Sequence, residues 1–255
     1  MIGLISDIHG NYPALKAVLD RLDALGCKKI YSLGDVAGYY CMINECIEEL
    51  RNRNIINLMG NHDNYLANDI ACERSMTVNN CIAYQREIIS EDNLAWLKDS
   101  PTHLEVGNLK MVHGGWKDYL DEYVSEFDFL DRVDARGIVF ASGHNHIQKK
   151  VEGRCGVYVN PGSVGQPRDG DARAAFAVIG DEACDALSLG ADGAGAVDLG
   201  RKDGIGAVAL GSGVRLERVE YDIDMIALRM KEEGFESRLT DCLYTGSKIA
   251  TYRRT

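Results

Sequence analysis

Five of the six histidines in the chain follow directly on a short apolar run, each with glycine or a carboxylate or amide beside it. Ile2–Ser6 leads into Asp7-Ile8-His9-Gly10, and Lys29–Leu33 into Gly34-Asp35. Ile55–Met59 leads into Gly60-Asn61-His62-Asp63, Leu109–Val112 into His113-Gly114-Gly115, and Ile138–Ser142 into Gly143-His144-Asn145-His146. Residues two apart in an extended chain point the same way, so Asp7 with His9, and His144 with His146, can each aim at one centre. Converging strand ends would bring together the oxygens of Asp7, Asp35 and Asn61 and the imidazoles of His9, His113, His144 and His146. Seven such groups are too many for one first-row metal and suit two ions that share a carboxylate. Oxygen mixed with imidazole and without thiolate points to Mn, Fe, Zn, Co or Ni rather than Ca or a thiolate-bound structural zinc. A single histidine after a strand is usually a hydrogen-bonded structural residue; five, with two i, i+2 pairs, are not read that way. His103 fits none of these blocks and is assigned to a surface strand.

The elements that must position these groups are also legible. The first runs are unbroken and rich in branched residues, as strands buried on both faces are. Between them, Leu15, Val18, Leu19, Leu22 and Leu25 recur at helical spacing, with Pro13 at the start and Gly26 past the end. A second helix is expected from Ile43 to Arg53, and strand–helix alternation implies βαβ units with a parallel sheet. In open α/β sheets the functional crevice lies at the carboxyl ends of strands, where the histidines fall. Val78 to Leu97 reads as helical with a break and a cap near Ser90. Beyond Pro101 the texture changes to hairpins: His103–Val106 with Leu109–Val112 around Gly107-Asn108, and Lys149–Val159 around Gly153. Ala174–Ile179 and Val214–Tyr221 supply further strands, and Ile223–Glu233 a last amphipathic helix. The expected class is α/β, in one domain over 1–255. The Gly/Ala-rich stretch from Gly190 to Gly213 is expected to be a loop insertion without chemistry.

The chain has 255 residues with Lys plus Arg 28 against Asp plus Glu 39, a net charge of −11. That balance excludes a broad basic surface for nucleic acid or anionic membrane. Met1–Asp7 has no basic stretch, no apolar run approaches a membrane span, and the 8 cysteines form no C-x-x-C pair. The expectation is a cytoplasmic protein with reduced, mostly buried thiols.

The five blocks, in order from Asp7 to His146, resemble the calcineurin-like metallophosphoesterase superfamily, whose pattern is D-x-H, G-D, G-N-H-[DE], H and G-H-x-H. His113–Tyr123 and Asn160-Pro161-Gly162-Ser163 to Arg168 are similar to a compact bacterial and archaeal branch related to diadenosine tetraphosphatases. The resemblance implies a four-layer α-β-β-α sandwich and two divalent transition-metal ions, manganese first among them, with Fe, Zn, Ni or Co as alternatives. Asp7, His9 and His146 would hold one ion and Asn61, His113 and His144 the other, with Asp35 between them. Such a pair generates hydroxide from a bridging water near neutral pH for in-line attack on phosphorus. His62 would then protonate the leaving oxygen or stabilise its charge, with Asp63 orienting its ring. Arg168 is assigned to the substrate phosphate, with an ion pair to Asp169 or Asp171 as the alternative. Asn11 and Tyr39 are assigned to the pocket mouth, and Trp116 to packing rather than base stacking.

Two departures narrow the substrate. Protein Ser/Thr phosphatases of the superfamily carry G-D-x-x-D-R-G and G-N-H-E; here Gly34–Tyr40 lacks the arginine, and Asp63 takes the acidic position. The expected activity is hydrolysis of small phosphomonoesters or phosphodiesters, including nucleotides. The alternatives are a dinucleoside-polyphosphate hydrolase and a non-catalytic scaffold of the same fold.

Overall fold

The structure, a computed structural model, describes residues 1–180 and 213–249. The expected Gly190–Gly213 loop, but for its last residue, lies outside the described residues. Two five-stranded mixed sheets are stacked face to face. The first has the order β10-β9-β1-β2-β3, with β1 (Ile2–Ile5), β2 (Lys29–Ser32) and β3 (Ile56–Asn57) parallel. β9 (Ala174–Ile179) and β10 (Val214–Val219) complete it antiparallel. The second has the order β4-β5-β6-β8-β7: β5 (Leu109–Val112), β6 (Val139–Ala141) and β8 (Val157–Asn160) are parallel, flanked by antiparallel β4 (His103–Val106) and β7 (Lys149–Glu152). Each sheet therefore contains three parallel strands, at one side of the first (β1-β2-β3) and at the centre of the second (β5-β6-β8).

Packing follows the alternation of side chains along the strands. Leu4 and Leu33 from the first sheet interlock with Leu109, Met111, Val139, Val157 and Val159 from the second to form the inter-sheet core. The opposite face of the first sheet is covered by α1 (Tyr12–Ala24), α2 (Ile43–Asn52), α4 (Met76–Ile88) and α5 (Glu91–Lys98), which bury Leu15, Leu19, Ile47, Ile82 and Leu97 with Ile5, Phe176 and Val178. Ser90 caps α5 by accepting from Asn93 N–H (3.3 Å), the break expected there. On the second sheet Phe140 points away from the inter-sheet core and meets Phe129, in a 3₁₀ turn at Asp128–Asp131, and Trp116. α6 (Ile223–Glu232) and α7 (Arg238–Asp241) pack Ile226, Met230 and Leu239 against Tyr40, Cys41 and Cys81. Among the elements the sequence reading did not include are α7 and, more telling, α3 (Asn61–Ala67), which begins at a candidate ligand. No helix among the described residues is long and apolar enough to cross a membrane.

Candidate metal centre

The carboxyl ends of β1, β2, β3, β5 and β6 meet where the two sheets' edges face each other, and all seven candidate ligands are buried there. Asp7, His9 and His113 are 0% exposed, and His144, the most open, is 5%. Backbone strain is concentrated in the same place. Of seven non-glycine residues with positive φ among the described residues, five are Asp7 (55°), His9 (54°), Asp35 (58°), His144 (69°) and His146 (61°). Each such residue costs on the order of 1 kcal/mol, and clusters of them persist where the surroundings over-determine the backbone. The loops are pinned by Asp7 N–H on Gly34 O (2.9 Å), His9 N–H on Asp35 O (2.9 Å) and Gly143 N–H on His113 O (2.8 Å). Two glycines make the approach possible. A side chain at Gly38 (φ 133°) would lie 2.2 Å from His9 Nδ1, and one at Gly60 2.1 Å from Asp35 Oδ1.

The donor atoms separate into two clusters. In the first, His9 Nδ1–H donates to Ala37 O (2.8 Å) and His146 Nδ1–H to Gln166 O (2.6 Å). A carbonyl only accepts, so each neutral ring turns an Nε2 lone pair inward. Those two nitrogens lie 3.0 Å apart, and Asp7 Oδ1, which has no hydrogen-bond partner, lies 3.4 Å from His146 Nε2. Burial pulls both imidazoles well below their ordinary range, so there is no proton for them to share. Burial likewise raises Asp7 above the usual carboxylate range. Three buried groups converge here with both rings' protons turned outward onto carbonyls, a set that a cation satisfies.

In the second cluster His113 donates from Nδ1 to Leu33 O (2.9 Å) and turns Nε2 toward Asn61 Oδ1 (3.1 Å) and Asp35 Oδ2 (3.3 Å). His144 Nδ1 is 3.1 Å from the same Asn61 oxygen. Burial lowers His144 to about 3. Burial also works to lower His113, but the Asp35 carboxylate against it prevails and holds it at about 10. Burial alone would raise Asp35; the imidazoles of His113, His62 and His9 instead take it below the usual carboxylate range. Asp35 Oδ2 also lies 3.9 Å from His9 Nε2, so this one carboxylate faces both clusters. The donor set thus fits metal binding, with Asp35 facing both clusters.

The cleft above the clusters has a volume of about 200 Å³ and is lined by His62, Tyr39 and Arg168 among others. His62 is buried, with Nδ1 free of any hydrogen bond and Nε2 4.0 Å from Asp35 Oδ2; burial lowers it to about 4. Tyr39 packs edge-on against His9 (4.8 Å between centroids), and its hydroxyl meets Arg168 Nη2 at 3.0 Å. Arg168 is further held by Gln166 Oε1 (Nε 3.0 Å) and has no ion pair among the described residues; Asp169 and Asp171 pair with Arg218, and Asp171 also with Arg173.

Two expectations are corrected. Asp63 does not orient the His62 ring. Its carboxylate accepts from the backbone N–H of Asp35 (2.8 Å), Ala37 (2.8 Å) and Gly60 (3.1 Å) and from Asn57 Nδ2 (3.3 Å), because the third residue of a helix turns back over its own N-terminus. Asn11 is not at the pocket mouth. It is 0% exposed, caps α1 by accepting from Ala14 N–H (3.3 Å) and donates to Gly165 O (2.9 Å). Trp116 lies outside the cleft, against Phe140 (5.1 Å) and Phe129 (5.9 Å), and His103 is on the surface beside Tyr119. Sequence reasoning missed Arg74, Asp121 and Tyr123. Arg74 and Tyr123 line the cleft, and Asp121 pairs with Arg74 across 47 residues of sequence. No motif marks that proximity.

The Asn160–Arg168 stretch serves as a belt beneath the first cluster. Val164 N–H donates to Ser6 O (2.9 Å), Gly165 N–H to Asp7 O (3.0 Å), Ser163 Oγ–H to Asp7 O (2.7 Å) and Arg168 N–H to His146 O (3.1 Å). Two stacked sheets with parallel strand ends feeding imidazole and carboxylate to a shared centre define a metal-binding phosphoesterase architecture. The chain belongs to the calcineurin-like phosphoesterase superfamily, whose domain model matches residues 1–182. It is 33% identical over 207 residues to an uncharacterized protein of Methanocaldococcus jannaschii, across 71% of this chain and 83% of that protein. Among solved structures it resembles a metallophosphoesterase from Sphaerobacter thermophilus (26% identity, TM-score 0.72, 96% of this chain and 99% of that one). It shares its fold with a hypothetical protein from Pyrococcus horikoshii (21% identity, TM-score 0.74, 97% and 100%). The superfamily is one of metal-dependent hydrolases, and the Asp and His clusters described above are of the kind that holds such metals.

Proposed function

We propose that the protein is a binuclear metal-dependent phosphoesterase acting on small phosphomonoesters or phosphodiesters. The observation that carries this reading is the pair of inward-facing lone pairs of His9 and His146, 3.0 Å apart beside the unpartnered Asp7 Oδ1. A second acceptor cluster shares Asp35 with that pair. When bound, two divalent cations supply an acidified water and positive charge for the phosphoryl oxygens. Manganese suits a site that mixes carboxylate, amide and imidazole, and a reducing cytoplasm suits the free thiols.

The remaining steps belong to the chain's own side chains. Arg168, held by Gln166 and Tyr39 and paired with no carboxylate among the described residues, grips a phosphoryl oxygen that enters the cleft. His62 presents its ring in the cleft wall and donates a hydrogen bond to the departing oxygen. Asp63 keeps the Asp35 loop closed on the site through its three backbone hydrogen bonds. A cleft of about 200 Å³ admits a phosphoryl group with a small leaving group and suits small substrates better than a folded phosphoprotein.

The test is turnover of p-nitrophenyl phosphate and bis(p-nitrophenyl) phosphate by Mn-loaded protein. A panel of mononucleotides, cyclic nucleotides and dinucleoside polyphosphates should follow. Hydrolysis that depends on added metal is expected; no turnover with any divalent metal, in protein that binds metal, returns the chain to a scaffold role.

A further inference from the structure

The four histidines of the two clusters are not supported alike. His9, His113 and His146 each donate their outer ring nitrogen to a backbone carbonyl, at 2.8, 2.9 and 2.6 Å. His144 is turned the other way. Its Nδ1 faces Asn61 and the cluster, and its Nε2 is buried without a hydrogen-bond partner. A neutral imidazole that offers one nitrogen's lone pair to a cation carries its proton on the other, and a buried N–H without an acceptor is costly. The acidic oxygen facing that nitrogen is Asp121 Oδ1, 4.0 Å away. The same oxygen is engaged by Arg74 Nη2, and Arg74 lines the cleft and also contacts the Tyr65 hydroxyl, which in turn touches Asn61.

The loop that carries Asp121 is braced to hold it there. Gly114 N–H donates to Tyr119 O (2.7 Å), and Gly115 N–H to Asp118 O (2.9 Å). The Glu122 carboxylate accepts from Lys117 N–H (2.6 Å), and Asp121 N–H donates to Asp118 Oδ1 (3.2 Å). The Tyr123 ring lies over His144 at 4.3 Å. An approach of about 1 Å by the carboxylate completes a hydrogen bond to His144 Nε2, within reach of a side-chain rotation that leaves the braced backbone in place.

On the binuclear reading above, we propose that Asp121 is the positioning partner of His144, accepting its Nε2–H when the second cluster holds a metal. The same movement frees Arg74 to serve beside Arg168 as a second guanidinium for substrate phosphate. One carboxylate is therefore shared between a ligand and a substrate cation, so that filling the second cluster prepares the cleft for an anion. Metal-ligating histidines commonly have such a carboxylate partner, and its loss weakens metal binding by about 10- to 100-fold.

The experiment is a Mn²⁺ titration by calorimetry of the wild type, Asp121→Asn, Asp121→Glu and Arg74→Gln, with far-UV circular dichroism to confirm that each is folded. Expected for Asp121→Asn is one ion at wild-type affinity and a second weakened by at least about 10-fold, with Asp121→Glu recovering part of the loss. Arg74→Gln should leave the second ion as tight as in the wild type, or tighter, because the rival for Asp121 is gone. It should raise KM for p-nitrophenyl phosphate about 10-fold while kcat changes less than about twofold. Wild-type affinity for both ions in Asp121→Asn overturns the inference. So does an Arg74→Gln that weakens the second ion as much as Asp121→Asn does, since the pair is then scaffolding. If the wild type itself takes up fewer than two ions, the binuclear reading fails and this inference with it.

Discussion

The two halves of the candidate metal centre each set two imidazoles beside one oxygen donor, Asp7 in one and Asn61 in the other, and are built by opposite means. The half formed by Asp7, His9 and His146 is enclosed: each outer ring nitrogen ends on a backbone carbonyl, and the 160–168 belt ties the main chain at Ser6, Asp7 and His146 from below. The half formed by Asn61, His113 and His144 is fixed by a carbonyl on one side only and opens through His144 toward the rim, where Asp121 and Arg74 face each other. Backbone contacts hold a ligand at one distance, whereas exposed side chains can exchange partners. The enclosed half is expected to retain its ion through dialysis, and the open half to exchange it and to respond to what enters the cleft.

Asp35 is where the contrast should vanish, because it faces both halves. Asp35→Asn is expected to lose both ions, with kcat/KM down by at least about 10³-fold, some 4 kcal/mol of transition-state stabilisation. Metal analysis after gel filtration, paired with turnover, checks this; one ion kept at full occupancy would show that Asp35 serves a single half. His62→Asn probes the cleft wall at a ring that stands beside Asp35 and His9 without being one of the seven candidate ligands. Both ions should remain, while kcat falls by about 10²- to 10³-fold. Loss of an ion would make His62 a ligand.

How much of this was legible beforehand depends on whether a role is local. The parallel strands, the helix from Pro13, the Ser90 cap and both hairpins follow from apolar periodicity and turn residues, and they appear where those signals put them. The candidate ligand positions stood out because they fall in the short loops that follow the strands. Roles that depend on tertiary direction were not. Asp63 is next to His62 in sequence, yet neighbours on a helix point about 100° apart, and α3 itself gave no warning because seven residues opening Asn61-His62-Asp63-Asn64 carry no apolar stripe. Asn11, two residues after a ligand, was drawn into a cap and onto Gly165, 154 residues away. Cavity size would have misled. The larger space, about 490 Å³ against the outer face of the second sheet beside Trp116, Phe129 and Phe140, contains none of the seven converging ligands.

Asp63, bonded to the main chain around Asp35, bears on the stability of both halves together. An amide there would set its own N–H₂ against backbone donors and leave at least one of the Asp35, Ala37 or Gly60 N–H groups unsatisfied. Asp63→Asn should therefore cost about 2 kcal/mol in metal-free protein, a drop of several degrees in Tm. Because it loosens the Asp35 loop, it should weaken both ions. An unchanged melting curve would mean that the loop is held by its other contacts.

The smallest expected effect separates the halves most cleanly. Ser163 is fully buried, and its hydroxyl donates to Asp7 O (2.7 Å) while accepting from Gln166 N–H (2.8 Å). Gln166 O in turn receives the His146 Nδ1–H (2.6 Å), so one hydroxyl links two ligands of the enclosed half and none of the open half. Ser163→Ala removes both of these hydrogen bonds and leaves the Gln166 N–H without its acceptor, at a net cost of about 1 kcal/mol. If that loss appears in the geometry of the Asp7–His146 pair, the first ion weakens by roughly fivefold and the second keeps its affinity. Competition between Mn²⁺ and a chelator, followed for each ion, distinguishes this from general softening. Equal weakening of the two would mean that the enclosed half is no more rigid than the open one, and the contrast between them would be lost.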